Sequence, residues 1–114
     1  METKIMVILR KLLVYSGRVL DYCEEANYEQ FLKDQKLIDA CVMNLSNMGE
    51  LSRHMPEEFK DAHPEIPWGA IYFMRNRIVH DYEGLRLEIV WQTIQSSIPE
   101  LREQLIQLTK EINP

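Results

Sequence analysis

The chain lacks a long hydrophobic run: IMVIL stops at Arg10-Lys11 and LLVY stops at Ser16-Gly17. Neither stretch can cross a bilayer or serve as the apolar centre of a signal peptide, so the expected address is cytoplasmic. Cysteine is scarce, with Cys23 and Cys41 alone, both at positions where helical spacing points inward. In a reducing compartment they read as small apolar residues rather than a bridge. The four glycines are scattered at 17, 49, 69 and 84, so no glycine-rich phosphate loop exists. His54 and His63 have no partner at metal-ligand spacing, and neither H-E-x-x-H nor paired E-x-x-H elements occur. Neither metal nor cofactor is therefore expected.

An excess of positive charge is also missing. Thirteen Lys and Arg stand against eighteen Asp and Glu, for a formal net charge of -5. Coating nucleic acid non-specifically requires neutralising phosphates, and that role is disfavoured. A small local basic site remains compatible with the balance.

What is present is a 114-residue chain, 46% apolar and 27% charged. That composition suits one globular domain over residues 1–114, large enough to bury roughly 65% of its unfolded surface. Period-two alternation is absent, and period 3.6 recurs instead. Ile5, Leu9, Leu12, Val19 and Cys23, with Ser16 in the vacant slot, predict one amphipathic helix from Glu2 to Glu25. Lys4, Lys11 and Arg18 fall on its polar side. After a turn at Ala26-Asn27 and a short helical lead-in over Tyr28–Leu32, Leu37, Ile38, Cys41, Leu45 and Met48 mark a second long helix to about His54. Gly49 inside that helix costs about 1 kcal/mol relative to alanine, which predicts close approach by another helix. Glu50 and Arg53 are spaced to pair on its surface.

Proline punctuates the middle of the chain. Pro56 starts a short helical turn, His63-Pro64 ends it, and Pro67 suits the start of a third long helix running to Asp81, with Gly84 placed to stop it. Leu87, Val90, Trp91, Ile94, Ile98, Leu101, Leu105 and Leu108 mark a fourth helix to about Ile112, kinked near Gln95-Ser96 by Pro99. The fold class expected is all-α, an antiparallel four-helix bundle with a short extra helix.

On the last two turns of the third helix stands RNRIVHDYEG, residues 75–84. Asn76 and His80 are four apart on one helix face, so the amide is expected to orient the imidazole. Arg75 precedes His80 by five residues, about 7.5 Å along the axis. Arginine's planar fork suits a phosphate, and histidine accepts and returns a proton near neutrality. Together they match phosphodiester cleavage, which in RNA needs no metal: the 2′-hydroxyl loses its proton and attacks phosphorus as the 5′-oxygen leaves and is protonated. One copy of the motif supplies one good proton carrier. A two-fold dimer would bring two His80 and two Arg75 into one cleft. Competing with this reading are a His80 that merely favours the helix dipole, and an Arg75 paired at the surface with Asp81 or Glu83.

PEIPW, MRNRIVHDYEG and IVWQTIQSSIPEL, with NMGELSRHM in the second long helix, resemble the HepT-like ribonuclease toxins, a branch of the HEPN superfamily. The family signature is Arg, a polar residue, His five after the Arg, then Tyr two after the His; Arg75, Asn76, His80 and Tyr82 match it. The resemblance implies a HEPN-like bundle and a metal-independent endoribonuclease toxin of a type VII-like toxin–antitoxin pair. It also implies a homodimer with Arg75 and His80 as catalytic residues, Asn76 in support and RNA as substrate. The implied antitoxin is an MntA-like minimal nucleotidyltransferase that adenylylates Tyr82, adding phosphate charge and bulk beside the cationic site. The other function class compatible with the chain is a non-catalytic HEPN adaptor that binds a nucleotidyltransferase or a nucleotide through the same face.

Overall fold

The computed structural model describes residues 2–114. Seven α-helices follow one another: α1 Lys4–Cys23, α2 Tyr28–Lys33, α3 Gln35–His54, α4 Glu57–Ala62, α5 Trp68–His80, α6 Leu87–Gln92 and α7 Ile98–Ile112. A π-helical turn, Thr93–Ser97, joins α6 to α7 into one continuous rod. Four long rods therefore form the antiparallel bundle, α1, α3, α5 and α6–α7. Among the described residues there are no strands.

The helix ends explain the boundaries. Thr3 caps α1 by accepting from the Met6 N–H at 3.2 Å, so the helix starts two residues later than its apolar spacing suggested. Asn27 and Gln30 form a reciprocal capping box at 2.8 and 2.9 Å, and Asp34 accepts from the Leu37 N–H at 3.0 Å. That second cap makes the lead-in a separate helix, α2, so the bundle carries two short helices rather than one. Pro99 sits in the first turn of α7. It has no N–H to give the carbonyl four residues back, and the backbone widens into the π turn over the segment where a kink was expected.

The buried side chains form one connected core. Leu9, Leu12 and Val19 of α1 are wholly buried, as are Cys41 of α3, Ile94 of the π turn and Leu105 of α7. Each such aliphatic side chain contributes roughly 1.5–3 kcal/mol. Ser16, the polar residue in the apolar row of α1, is satisfied: its hydroxyl donates to the Leu13 carbonyl at 3.2 Å and accepts from Arg102 Nε at 3.3 Å. Cys23 and Cys41 are free, buried thiols with sulfurs 3.5 Å apart. The hydrogen bond with Cys23, together with burial, pushes the Cys41 thiol far above its ordinary value.

α3 lies between α1 and α5, and α5 makes its extensive contact with α3 alone. Trp68 fixes the start of α5: its indole donates to the His63 carbonyl at 3.0 Å, and Ser52 of α3 donates to the Trp68 carbonyl at 3.0 Å. Further along, the two helices meet at Gly49, where a Cβ would strike Arg75 Cβ and lie 2.8 Å from the Ile71 carbonyl oxygen. The close approach inferred from that glycine is the α3–α5 seam. Gly84 has a different reason from the one expected, since its φ is not positive. It lies in the turn after α5 against the Asp81 carboxylate, the flexible end of a side chain that would have to move aside for a Cβ.

Gly49→Ala should therefore destabilise the protein by about 1–3 kcal/mol despite alanine's better helix propensity. Gly69→Ala, with nothing within 4 Å of the added carbon, should leave the urea midpoint unchanged or slightly higher. Equal midpoints for the two variants would contradict the close approach.

Candidate active site

α5 carries Arg75, Asn76 and His80, and His80 is its last residue. Arg75 faces the seam and is only 21% exposed. Its Nε lies 3.1 Å from Glu50 Oε2 of α3, and its Nη1 donates to Asn76 Oδ1 at 2.9 Å. Glu50 is shared among three basic side chains, because its other oxygen lies 3.5 Å from Arg53 Nη1 and 3.2 Å from His54 Nε2. Glu50 Oε2 is itself buried and makes no aligned hydrogen bond, so the nearby guanidinium is its electrostatic compensation. Arg75 thus pairs neither with Asp81 nor with Glu83.

Asn76 does not do what its spacing suggested. Its amide oxygen is taken by the neighbouring guanidinium, so it orients Arg75 rather than the imidazole. His80 is exposed at the helix end and makes no side-chain hydrogen bond among the described residues. Its motif partner Tyr82 lies beyond the helix and folds back onto α3. The Tyr82 hydroxyl donates to Asp39 Oδ1 and accepts from Gln35 Nε2 at 3.2 Å, and Gln35 also donates to Asp39 at 2.8 Å. The Asp39 carboxylate beside it pushes the Tyr82 phenol above its ordinary value, and the same hydrogen bond holds Asp39 below its own. Val42, Met43, Ser46 and Ile78 join Gln35, Asp39 and Tyr82 around an open groove of about 490 Å³ on the seam.

The residues expected to bear on phosphodiester chemistry thus lie along one helix and its junction with α3. α5 holds Arg75, Arg77 and His80 and, alone among the α-helices, no carboxylate. Among the described residues no three His, Cys, Asp or Glu side chains converge as a metal site would require. No helix among them is long and apolar enough to cross a membrane.

The model of the family described as Ribonuclease HepT-like matches residues 12–108. The chain belongs to the HepT-like ribonuclease family. A protein of Thermococcus cleftensis named probable ribonuclease HepT is 36% identical over 90 residues, 79% of this chain and 82% of its own. A protein of Caldanaerobacter subterraneus subsp. tengcongensis, named as a putative RNase, is 34% identical over 104 residues, 85% of this chain and 93% of its own. No solved structure matches. The HepT-like match contains every residue of the seam, from Gln35 to Tyr82.

Within this HepT-like chain, two site residues escaped the sequence. Glu50 was legible only as a partner for Arg53, although Gly49 beside it already marked where α5 comes close. Asp39 gave no local signal, because its partner Tyr82 is 43 positions away in the chain. Asp39→Asn should lower the Tyr82 phenol pKa towards the ordinary tyrosine value, since the carboxylate is the principal cause that raises it. Ultraviolet titration of tyrosinate, with Tyr82→Phe identifying the transition, reads this. A transition that stays in place would contradict the contact.

Proposed function

We propose that residues 1–114 act as one HEPN-like unit, a metal-independent endoribonuclease toxin working as a homodimer. The observation that carries the reading is Arg75. It is held from two sides by Glu50 and Asn76 on a helix that bears no carboxylate, five positions before an exposed, unpartnered His80. A guanidinium fixed before the substrate arrives loses little freedom when it meets a phosphate.

In the proposed reaction one His80 takes the proton of the ribose 2′-hydroxyl, whose oxygen attacks the adjacent phosphorus. The bond from phosphorus to the 5′-oxygen breaks, and the His80 of the second copy, protonated, gives that oxygen its proton. The products are a 2′,3′-cyclic phosphate and a 5′-hydroxyl. Arg75 stabilises the charge that gathers on the non-bridging oxygens, and Asn76 keeps the guanidinium in place. The acidic remainder of the surface confines RNA to this strip and works against indiscriminate coating.

The antitoxin in this proposal is an MntA-like minimal nucleotidyltransferase of the same cytoplasm, forming a type VII-like pair with the toxin. The Tyr82 oxygen attacks the α-phosphorus of ATP, pyrophosphate leaves, and the phenolic proton passes to Asp39 or to water. The added phosphate and bulk then sit at the end of the groove beside the cationic helix and compete with RNA. The exposure of Tyr82 supports its access to a partner enzyme. Co-expression with an active cognate transferase and ATP should add adenylate mass to the wild type and none to Tyr82→Phe. An unmodified wild type would remove this part of the proposal.

Purified protein should cleave mixed cellular RNA in excess EDTA and leave cyclic phosphate ends. His80→Ala and Arg75→Ala, compared at equal folded fraction, should each be at least about 100-fold slower. Failure of unmodified, dimeric wild type to cleave would instead favour a non-catalytic adaptor that uses the same face for docking.

A further inference from the structure

We propose that Phe73 is a stacking platform for a nucleobase of single-stranded RNA, with Arg77 beside it contacting the strand's backbone. The ligand follows from the ribonuclease reading above. The geometry stands independently of it.

Phe73 is 63% exposed, the most exposed large hydrophobic residue among those described. A lone exposed apolar side chain is ordinary, so its surroundings decide the matter. Spacing of four, three, one and three places Gly69, Phe73, Asn76, Arg77 and His80 on one side of α5. Four of the five are exposed and Asn76 is half-buried, as that arrangement requires. Phe73 and His80 are seven residues apart, nearly in line and about 10.5 Å along the axis. A strand with a phosphate at His80 can therefore lay a flanking base on the ring.

Two further features suit a base. A helical side chain leans over the preceding turn, which for Phe73 contains Gly69. That glycine has no side chain, and nothing lies within 4 Å of a Cβ added there, so position 69 itself does not shield the ring. Arg77, one residue from Asn76, is exposed and absent from every ion pair and side-chain hydrogen bond among the described residues. It stands on a helix without carboxylates in a chain of net charge -5, so it marks where a polyanion is tolerated. An aromatic ring beside an unpaired arginine matches single-stranded nucleic acid, because stacking supplies affinity and a cation follows the backbone. A second copy packed over this whole face would bury Arg77 without a partner around a single apolar side chain, whereas the proposed dimer needs contact only where the two His80 share a cleft.

The test is the affinity of His80→Ala protein, which does not cut, for a mixed-sequence single-stranded RNA oligonucleotide. Adding Phe73→Leu should weaken binding about tenfold, whereas Phe73→Tyr should stay within about twofold, because stacking needs a ring and not merely apolar volume. Gly69→Leu, whose Cβ meets nothing within 4 Å, should weaken binding by covering the ring. Arg77→Ala should reduce the salt dependence by about one counterion. Unchanged affinity for folded Phe73→Leu would overturn the proposal. So would a shift from dimer to monomer in sedimentation for Phe73→Leu at unchanged RNA affinity per dimer, which would assign the ring to contact between copies. RNA binding that depends on the ring in a wild type that never cuts would support stacking while refuting the ribonuclease. Cutting with full affinity in Phe73→Leu would refute stacking alone.

Discussion

The contact between Gly49 and Arg75 is the constraint on which the site depends. A side chain at position 49 would push α5 away, and the distance between Glu50 and Arg75 would open with it. The missing side chain weakens α3 locally, yet it lets the two helices approach closely enough for a carboxylate on one to hold a guanidinium on the other. Trp68 and Ser52 secure the start of the same seam through hydrogen bonds to backbone carbonyls. Tyr82 and Asp39 close its far end. The motif is therefore fixed at three levels along α3, and only His80 is left outside those restraints.

That arrangement accounts for the character of α5. A helix wrapped by neighbours would bury an apolar stripe and little else. α5 leans on α3, and among its residues only Trp68 and Ile78 are buried. Its other sides carry Phe73, Arg77, Val79 and His80 into solvent. Most of the fully buried aliphatics lie in α1, α3 and α6–α7 with its π turn, with Ile66 in the connection before α5 beside them. The outer helix is thereby free to present polar and aromatic groups that a core position would exclude. The π turn at Thr93–Ser97 lies beside it in the fourth rod, and the two border a groove of about 430 Å³ that includes Ile71 and Met74.

Much of the bundle was legible because burial imposes a period. The apolar rows of α1, α3 and α7 gave those helices directly, and Pro99 located the irregularity in the last. Where local hydrogen bonding decides, the apolar pattern was silent: Thr3 and Asp34 set helix starts through their side-chain oxygens, and the Asp34 cap divides α2 from α3. Candidate site residues separated on the same principle. Arg75, Asn76, His80 and Tyr82 fall within eight positions, so their placement on one helix and the turn after it was legible from spacing. Glu50 and Asp39 join them only through tertiary packing. Asn76 shows the limit of spacing arguments, because a residue four before a histidine can still find a nearer donor in the arginine beside it.

Whether Glu50 acts through Arg75 is decided by a double-mutant cycle on single-turnover RNA cleavage. Glu50→Gln should slow cleavage about tenfold when Arg75 is present and have no further effect once Arg75 has been replaced by alanine. Equal slowing in both backgrounds, or cleavage by Glu50→Gln at the wild-type rate, would contradict it.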